Sequence, residues 1–150
     1  MRRYRKKLRT TLAGLLALVT VGIFSPTVFA DNWPLDNTDP VSTGCANSGV
    51  TKFSRNVDGG VLDLRFSTNP NCYTAWARFT DNDPNGYTNF TLWVNRLPDG
   101  KQDVLHVTFP YYVNPGGQIW SYQLWDGGTY QVYACKQNYG GGQVQCTNAY

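Results

Sequence analysis

The sequence predicts an all-β domain, an antiparallel sandwich or barrel of about eight short strands stapled by two disulfides. Three observations carry this. Short runs alternate apolar and polar residues with a period of two, as in Leu62, Leu64 and Phe66 against Asp63, Arg65 and Ser67. Each run ends in Gly, Pro, Asn or Asp, and no segment sustains the i, i+3, i+4 spacing of a helix. Four cysteines follow an export leader, and an even count in an oxidising compartment reads as disulfides.

The leader is residues 1–30. Arg2, Arg3, Arg5, Lys6, Lys7 and Arg9 form a basic head, residues 12–24 an uncharged apolar run, and Val28-Phe29-Ala30 a small-residue cleavage site before Asp31. Thirteen residues make about 20 Å of helix, short of the ~30 Å hydrocarbon core of a bilayer. The expected product is therefore a secreted, extracellular protein with no membrane anchor after cleavage. Removing the leader reverses the charge. Seven basic residues then face ten acidic ones, all aspartate, for a net charge of −3. Such a chain has no basic surface with which to grip nucleic acid or an anionic membrane. The roughly 120 remaining residues suffice for one core, and a monomer is expected.

Residues 31–44 (DNWPLDNTDPVSTG) are polar and rich in Asp, Asn, Pro and Thr, and read as an N-terminal arm that is partly ordered at best. Residues 45–150 read as a single disulfide-bonded β domain. Thr51, Phe53, Arg55 and Val57 alternate with Lys52, Ser54 and Asn56, and Asp58-Gly59-Gly60 turns into the run 61–67. After the Pro70 loop, Tyr73, Ala75, Ala77 and Phe79 alternate with Thr74, Trp76, Arg78 and Thr80. The strand-like runs 87–96, 102–113, 118–125, 129–137 and 143–148 follow, separated by Gly- and Pro-rich turns. Valine, threonine, tyrosine and tryptophan dominate, and these suit a pleated surface.

Four cysteines allow three pairings. Cys45–Cys72 and Cys135–Cys146 are favoured because each pair flanks a local turn. Loop closure would make them worth roughly 3.5 and roughly 2.8 kcal/mol. Intervals of 26 and 10 residues do not match paired CxxC zinc ligands.

Several side-chain sets suggest sites. Asp63 and Arg65 share one strand face, and Trp76 and Arg78 share a face of a later strand. If those strands pair antiparallel, Asp63 meets Arg78 and Arg65 lies over Trp76. The pairs would fix strand register, or Trp76 would serve as a platform with Arg65 or Arg78 clamping an anion. Trp120, Tyr122 and Trp125 add flat rings with polar tips among Asn, Gln and Gly, suited to sugar rings or to a partner protein. Trp120 and Tyr122, or Ser121 and Trp125, form the inward set, so one set should remain on the surface. Asp81, Asp83 and Asn85 before Gly86 resemble the start of a calcium loop, but Leu92 stands where the closing Glu belongs. Calcium is thus a weak candidate, and no other cofactor is expected. His106 is the sole histidine, and neither Ser67 nor Ser121 has a nucleophile-elbow setting. Asp63, Asp81, Asp83, Asp103 and Asp126 could supply a glycosidase pair, but mostly sit at turns, where they should stay solvated and ionised.

Residues 36–79 carry Asp39-Pro40, Gly44-Cys45, Leu62-Asp63-Leu64-Arg65-Phe66-Ser67, Cys72, and Thr74-Ala75-Trp76-Ala77-Arg78. This order resembles the YjfA-like bacterial secreted proteins, a family of unknown function. That pattern has Glu where this chain has Asp63, and a shorter link before the second cysteine. The resemblance implies secretion and the Cys45–Cys72 pairing, and no activity. The residues point to a binding module for an extracellular or cell-wall ligand such as a polysaccharide. The alternatives are a proteinaceous inhibitor of a secreted hydrolase or a small hydrolase using aspartates.

Overall fold

A computed structural model of the chain describes residues 34–97, 99–108, 111–127 and 130–150. The leader and its cleavage site lie outside the described residues. Among the described residues nine strands form two antiparallel sheets. The first holds β1 (Gly49–Val57), β2 (Gly60–Ser67) and β3 (Thr74–Asp81), with the short β6 (Gln118–Trp120) and β7 (Leu124–Trp125) both paired to β3. The second runs β5 (Gln102–Val107), β4 (Phe90–Leu97), β8 (Gln131–Asn138), β9 (Gln145–Cys146). The disulfides are Cys45–Cys72 and Cys135–Cys146. Among the described residues no helix is long and apolar enough to cross a membrane.

Alternation dictates the sandwich. Leu62, Leu64 and Phe66 of β2 and Ala75, Ala77 and Phe79 of β3 face Phe90, Leu92 and Val94 of β4 and Val132 and Ala134 of β8 in one core. Full burial of each large apolar side chain stabilises by roughly 1.5–3 kcal/mol. Register is fixed because a one-residue slip would turn each set outward.

Three strand expectations need correction. The strand read over 102–113 ends at Val107, and Val113 makes only an isolated bridge to Tyr87. In β1 the register shifts between Thr51 and Phe53, so Lys52 is a bulge residue. The bulge puts Thr51 on the outer face while Phe53 and Val57 pack against the core. Residues 118–125 are not one strand either. Ser121 interrupts them: its Oγ accepts the Ala77 N–H (3.1 Å) and its N–H bonds to the Ala77 carbonyl (2.9 Å). Neither alternating set is therefore the inward one. Ser121 and Gln123 are buried, Trp120 and Trp125 half-buried, and Tyr122 exposed. Gln123 is tolerated in the interior because Thr74, Thr38 and Thr43 bond its amide at 2.7–3.0 Å.

The arm is more firmly held than its composition suggests. Asp36 accepts the Trp125 N–H and the Lys101 ammonium, each at 2.6 Å, and Asn37 N donates to Asp103 (2.6 Å). Behind them Arg96, buried on β4, donates to Asp99 (2.6 Å) and to the Trp125 carbonyl (2.6 Å). Burial works against the Arg96 charge, but Asp99 and Asp36 outweigh it and hold its pKa above the ordinary value. The polar letters that read as loop are the acceptors that tie the segment down. The arm then continues through a 3₁₀ turn, Cys45–Ser48, into β1, with Cys45 bonded to Cys72.

Candidate functional site

β2 and β3 pair so that Asp63 lies opposite Arg78 and Arg65 opposite Trp76, while Trp120 of β6 lies opposite Arg78. All of these side chains belong to the outer face of the first sheet. Arg65, Trp76, Arg78 and Trp120 line one cleft of about 190 Å³ with Val41, Ala46 and Gln118. Val41 and Ala46 belong to the segment that carries Cys45, so the arm and its disulfide build one wall.

Asp63 accepts Arg78 Nη2 (2.5 Å) and Nε (3.1 Å) on one oxygen and the Ser54 hydroxyl (2.5 Å) on the other. Arg65 reaches across the edge strand to Thr51 Oγ1 (2.6 Å) and the Gly49 carbonyl (2.5 Å). Two of its five N–H groups are thus used within the chain. Among the described residues no cation–π contact joins Arg65 to Trp76. Burial, and then the neighbouring Arg78 charge, lower the Arg65 pKa, with Asp63 opposing. Two guanidinium groups thus line the cleft, with the Asp63 carboxylate bonded to Arg78 and the Asp39 carboxylate bonded to Trp120.

Trp76 is only 3% exposed. A Cβ at Gly49 would stand 2.8 Å from its indole, so this glycine is where the backbone closes over the ring. Trp76 is thus a wall of the cleft and not an open platform. Trp120 is held by a bond from its Nε1 to Asp39 (3.2 Å). Tyr122 is exposed and Trp125 lies elsewhere, lining a depression of about 390 Å³ with Pro34, Leu35, Pro70, Asn71 and Cys72. The structure brings together four of the six candidate residues. Sequence reasoning missed Gln118, although two-residue spacing from Trp120 puts it on the same face. It also missed Val41 and Ala46, whose segment is tied there by the Cys45–Cys72 disulfide and the Trp120–Asp39 bond and which no local pattern marks.

The aspartates depart from the solvated setting expected of them. Asp63, Asp81, Asp103 and Asp126 are buried. Burial raises the Asp103 pKa, and the Asn37 N–H opposes that shift. Asp81 accepts the Asp83 N–H and Asp83 the Asn85 N–H, each at 2.9 Å, so these carboxylates cap their own turn. Among the described residues no three His, Cys, Asp or Glu side chains gather to hold a metal. Ser67 bonds Ser48 (2.7 Å), and Ser121 bonds backbone. His106 sits exposed on the edge strand β5 of the other sheet.

An inward lysine was also missed. Lys136 continues the Val132, Ala134 series of β8 and is 1% exposed. Its ammonium lies 4.2 Å from the Tyr87 ring centre, 5.0 Å from Phe79 and 5.1 Å from Phe90. It donates to the Asp58 carbonyl (2.9 Å) and to Asn138 (2.6 Å). Burial lowers its pKa to about 8, against the fields of Asp58 and Asp81. The signal was available: a lysine in phase with the apolar positions of a strand.

Over 81 residues the chain is 36% identical to the uncharacterized protein YjfA of Bacillus subtilis (strain 168), a stretch covering 49% of this chain and 50% of that one. The chain thus spans about half the length of the curated relative it matches. No solved structure matches. The model of the family described as "Protein of unknown function (DUF2690)" matches residues 34–143, and the chain belongs to that family.

Proposed function

We propose that the protein is an exported binding module whose cleft on the first sheet takes an acidic extracellular or cell-wall ligand, in the first instance an anionic polysaccharide. The observation that carries this is the meeting of Arg65 and Arg78 in one cleft beside Trp120, with Asp63 engaged by Arg78 and Asp39 by the Trp120 N–H, so that Arg65 has no carboxylate hydrogen-bonded to it among the described residues. An added carboxylate between the two guanidinium groups would relieve their repulsion and accept charge-assisted bonds from both. Trp120 offers a ring against which the sugar backbone can stack. The two disulfides support action outside the cell, in keeping with the reading of residues 1–30 as an export leader. The test is calorimetric titration with hexagalacturonate and with its neutral methyl ester. The acid should bind, the ester bind more weakly, and Arg65→Gln lose at least tenfold in affinity for the acid, since bonds to a charged group contribute about 1.5–3 kcal/mol. Equal affinity of the parent and Arg65→Gln for the acid would remove the proposal.

A further inference from the structure

The second sheet has an outer face of different chemistry. Register sets its rows: Thr91 lies between His106 and Gln137, Trp93 between Val104 and Cys135, and Asn95 between Gln102 and Tyr133. No outward position on β4, β5 or β8 carries Lys, Arg, Asp or Glu. Tyr133, Trp93 and His106 fall on one diagonal across three adjacent strands. Each diagonal step is about 7–8 Å, so the line is on the order of 15 Å long. The His106 ring is fixed at its end, with Nδ1 2.9 Å from Tyr139 Oη and 3.2 Å from Thr91 Oγ1.

A second observation points to a ligand. Asn95 is 5% exposed and donates its Nδ2 to Tyr133 Oη, yet its Oδ1 has no hydrogen-bond partner. A buried carbonyl left unpaired is costly. This one belongs to the row at the Tyr133 end of the diagonal.

We propose that this face is a second binding site, for an uncharged oligosaccharide chain lying along the Tyr133–Trp93–His106 diagonal. Ring faces stack on the apolar side of a sugar, and the exposed Gln102 amide, with the Gln137 amide beside its bond to the Gly142 carbonyl, can donate to and accept from hydroxyls. With no Lys or Arg at its outward positions, it offers no permanent cation to select an acidic ligand. The site is independent of the arginine cleft on the opposite sheet.

The test is titration of the full mature protein with cellohexaose, hexa-N-acetylchitohexaose and maltohexaose, followed by calorimetry and by amide and indole NMR shifts. At least one hexasaccharide should bind, shifting the Trp93 indole and leaving that of Trp120 unmoved. Trp93→Ala should weaken it at least tenfold, and Arg65→Gln should leave it unchanged. Should Trp93→Ala lose its fold, His106→Ala and Gln102→Ala, both at exposed positions, should each weaken binding several-fold. No binding to any of the three, or binding indifferent to these substitutions, would overturn the proposal. So would sedimentation showing a dimer of the parent that Trp93→Ala dissolves, since the face would then be covered by a second copy.

Discussion

Lys136 gives the sharpest test of the interior. Its ammonium is enclosed by Tyr87, Phe79 and Phe90 and neighboured by the Asp58 and Asp81 charges, and its pKa falls from 10.5 to about 8. That gap corresponds to about 3 kcal/mol against the charged form. The sign follows from proton binding. Between pH 8 and 10.5 the unfolded chain keeps a proton on Lys136 that the folded chain has released, so stability rises with pH, by up to ~1.4 kcal/mol per unit. Below about pH 8 both states are protonated and the full cost is present. Tyr87 works the other way above about pH 10, because burial raises its pKa and the unfolded chain loses that proton first. Urea unfolding of the disulfide-intact protein should therefore show stability climbing by about 2 kcal/mol from pH 8 to 9.5. Lys136→Met should abolish the slope. At pH 7 its gain is offset by the acceptors left at Asp58 and Asn138, so its net change there should lie within about 2 kcal/mol of zero. A flat or falling profile for the parent, or an unchanged slope in Lys136→Met, would refute the reasoning.

Other perturbations reach the cleft and the arm. Gly49→Val forces a branched side chain against the Trp76 indole and should cost about 1–3 kcal/mol by thermal unfolding. Arg96→Met removes a buried cation from between Asp36 and Asp99 and should cost about 3–5 kcal/mol, the largest loss of any single substitution named here. Arg78→Gln leaves Asp63 buried without its counter-charge. Because Arg78 is partly solvated, the loss in urea unfolding should be smaller, about 1–2 kcal/mol. Cys45→Ser with Cys72→Ser should cost about 3 kcal/mol and weaken hexagalacturonate binding, since the wall formed by Val41 and Ala46 loses its anchor.

Much of the fold was legible because burial on one face imposes a period of two. The inward sets of β2, β3 and β4 can be read directly from residues 62–66, 75–79 and 90–94. Where the reading failed, a single residue broke the period. Lys52 adds a bulge that ordinary alternation cannot contain, and Ser121 splits an eight-residue run by bonding both backbone groups of Ala77. Burial of the aspartates was hidden for a related reason. An Asp at a turn looks solvated until its acceptors are counted, and the partners of Asp36 and Asp103 come from sequence distances of 65 to 89 residues. The cleft was half legible. Strand spacing placed the arginines and Trp76 on one face, but the covering of Trp76 depends on a disulfide-tethered segment with no local signature.

The two outer faces differ in a way that packing alone does not require. On the first sheet, charge has structural duties: Asp63 holds Arg78, Arg65 holds the β1 edge, and Asp39 fastens Trp120 under the arm. On the second sheet, an outer face that met only water would be expected to carry lysine and aspartate, which keep a surface soluble. It carries Trp93, Tyr133, Gln102 and Gln137 instead, and an asparagine whose carbonyl has no partner. An indole half in water and an unpaired buried acceptor each lower stability in the free protein. Rings and amides on an outer face without Lys, Arg, Asp or Glu are the chemistry that the proposed neutral oligosaccharide would use.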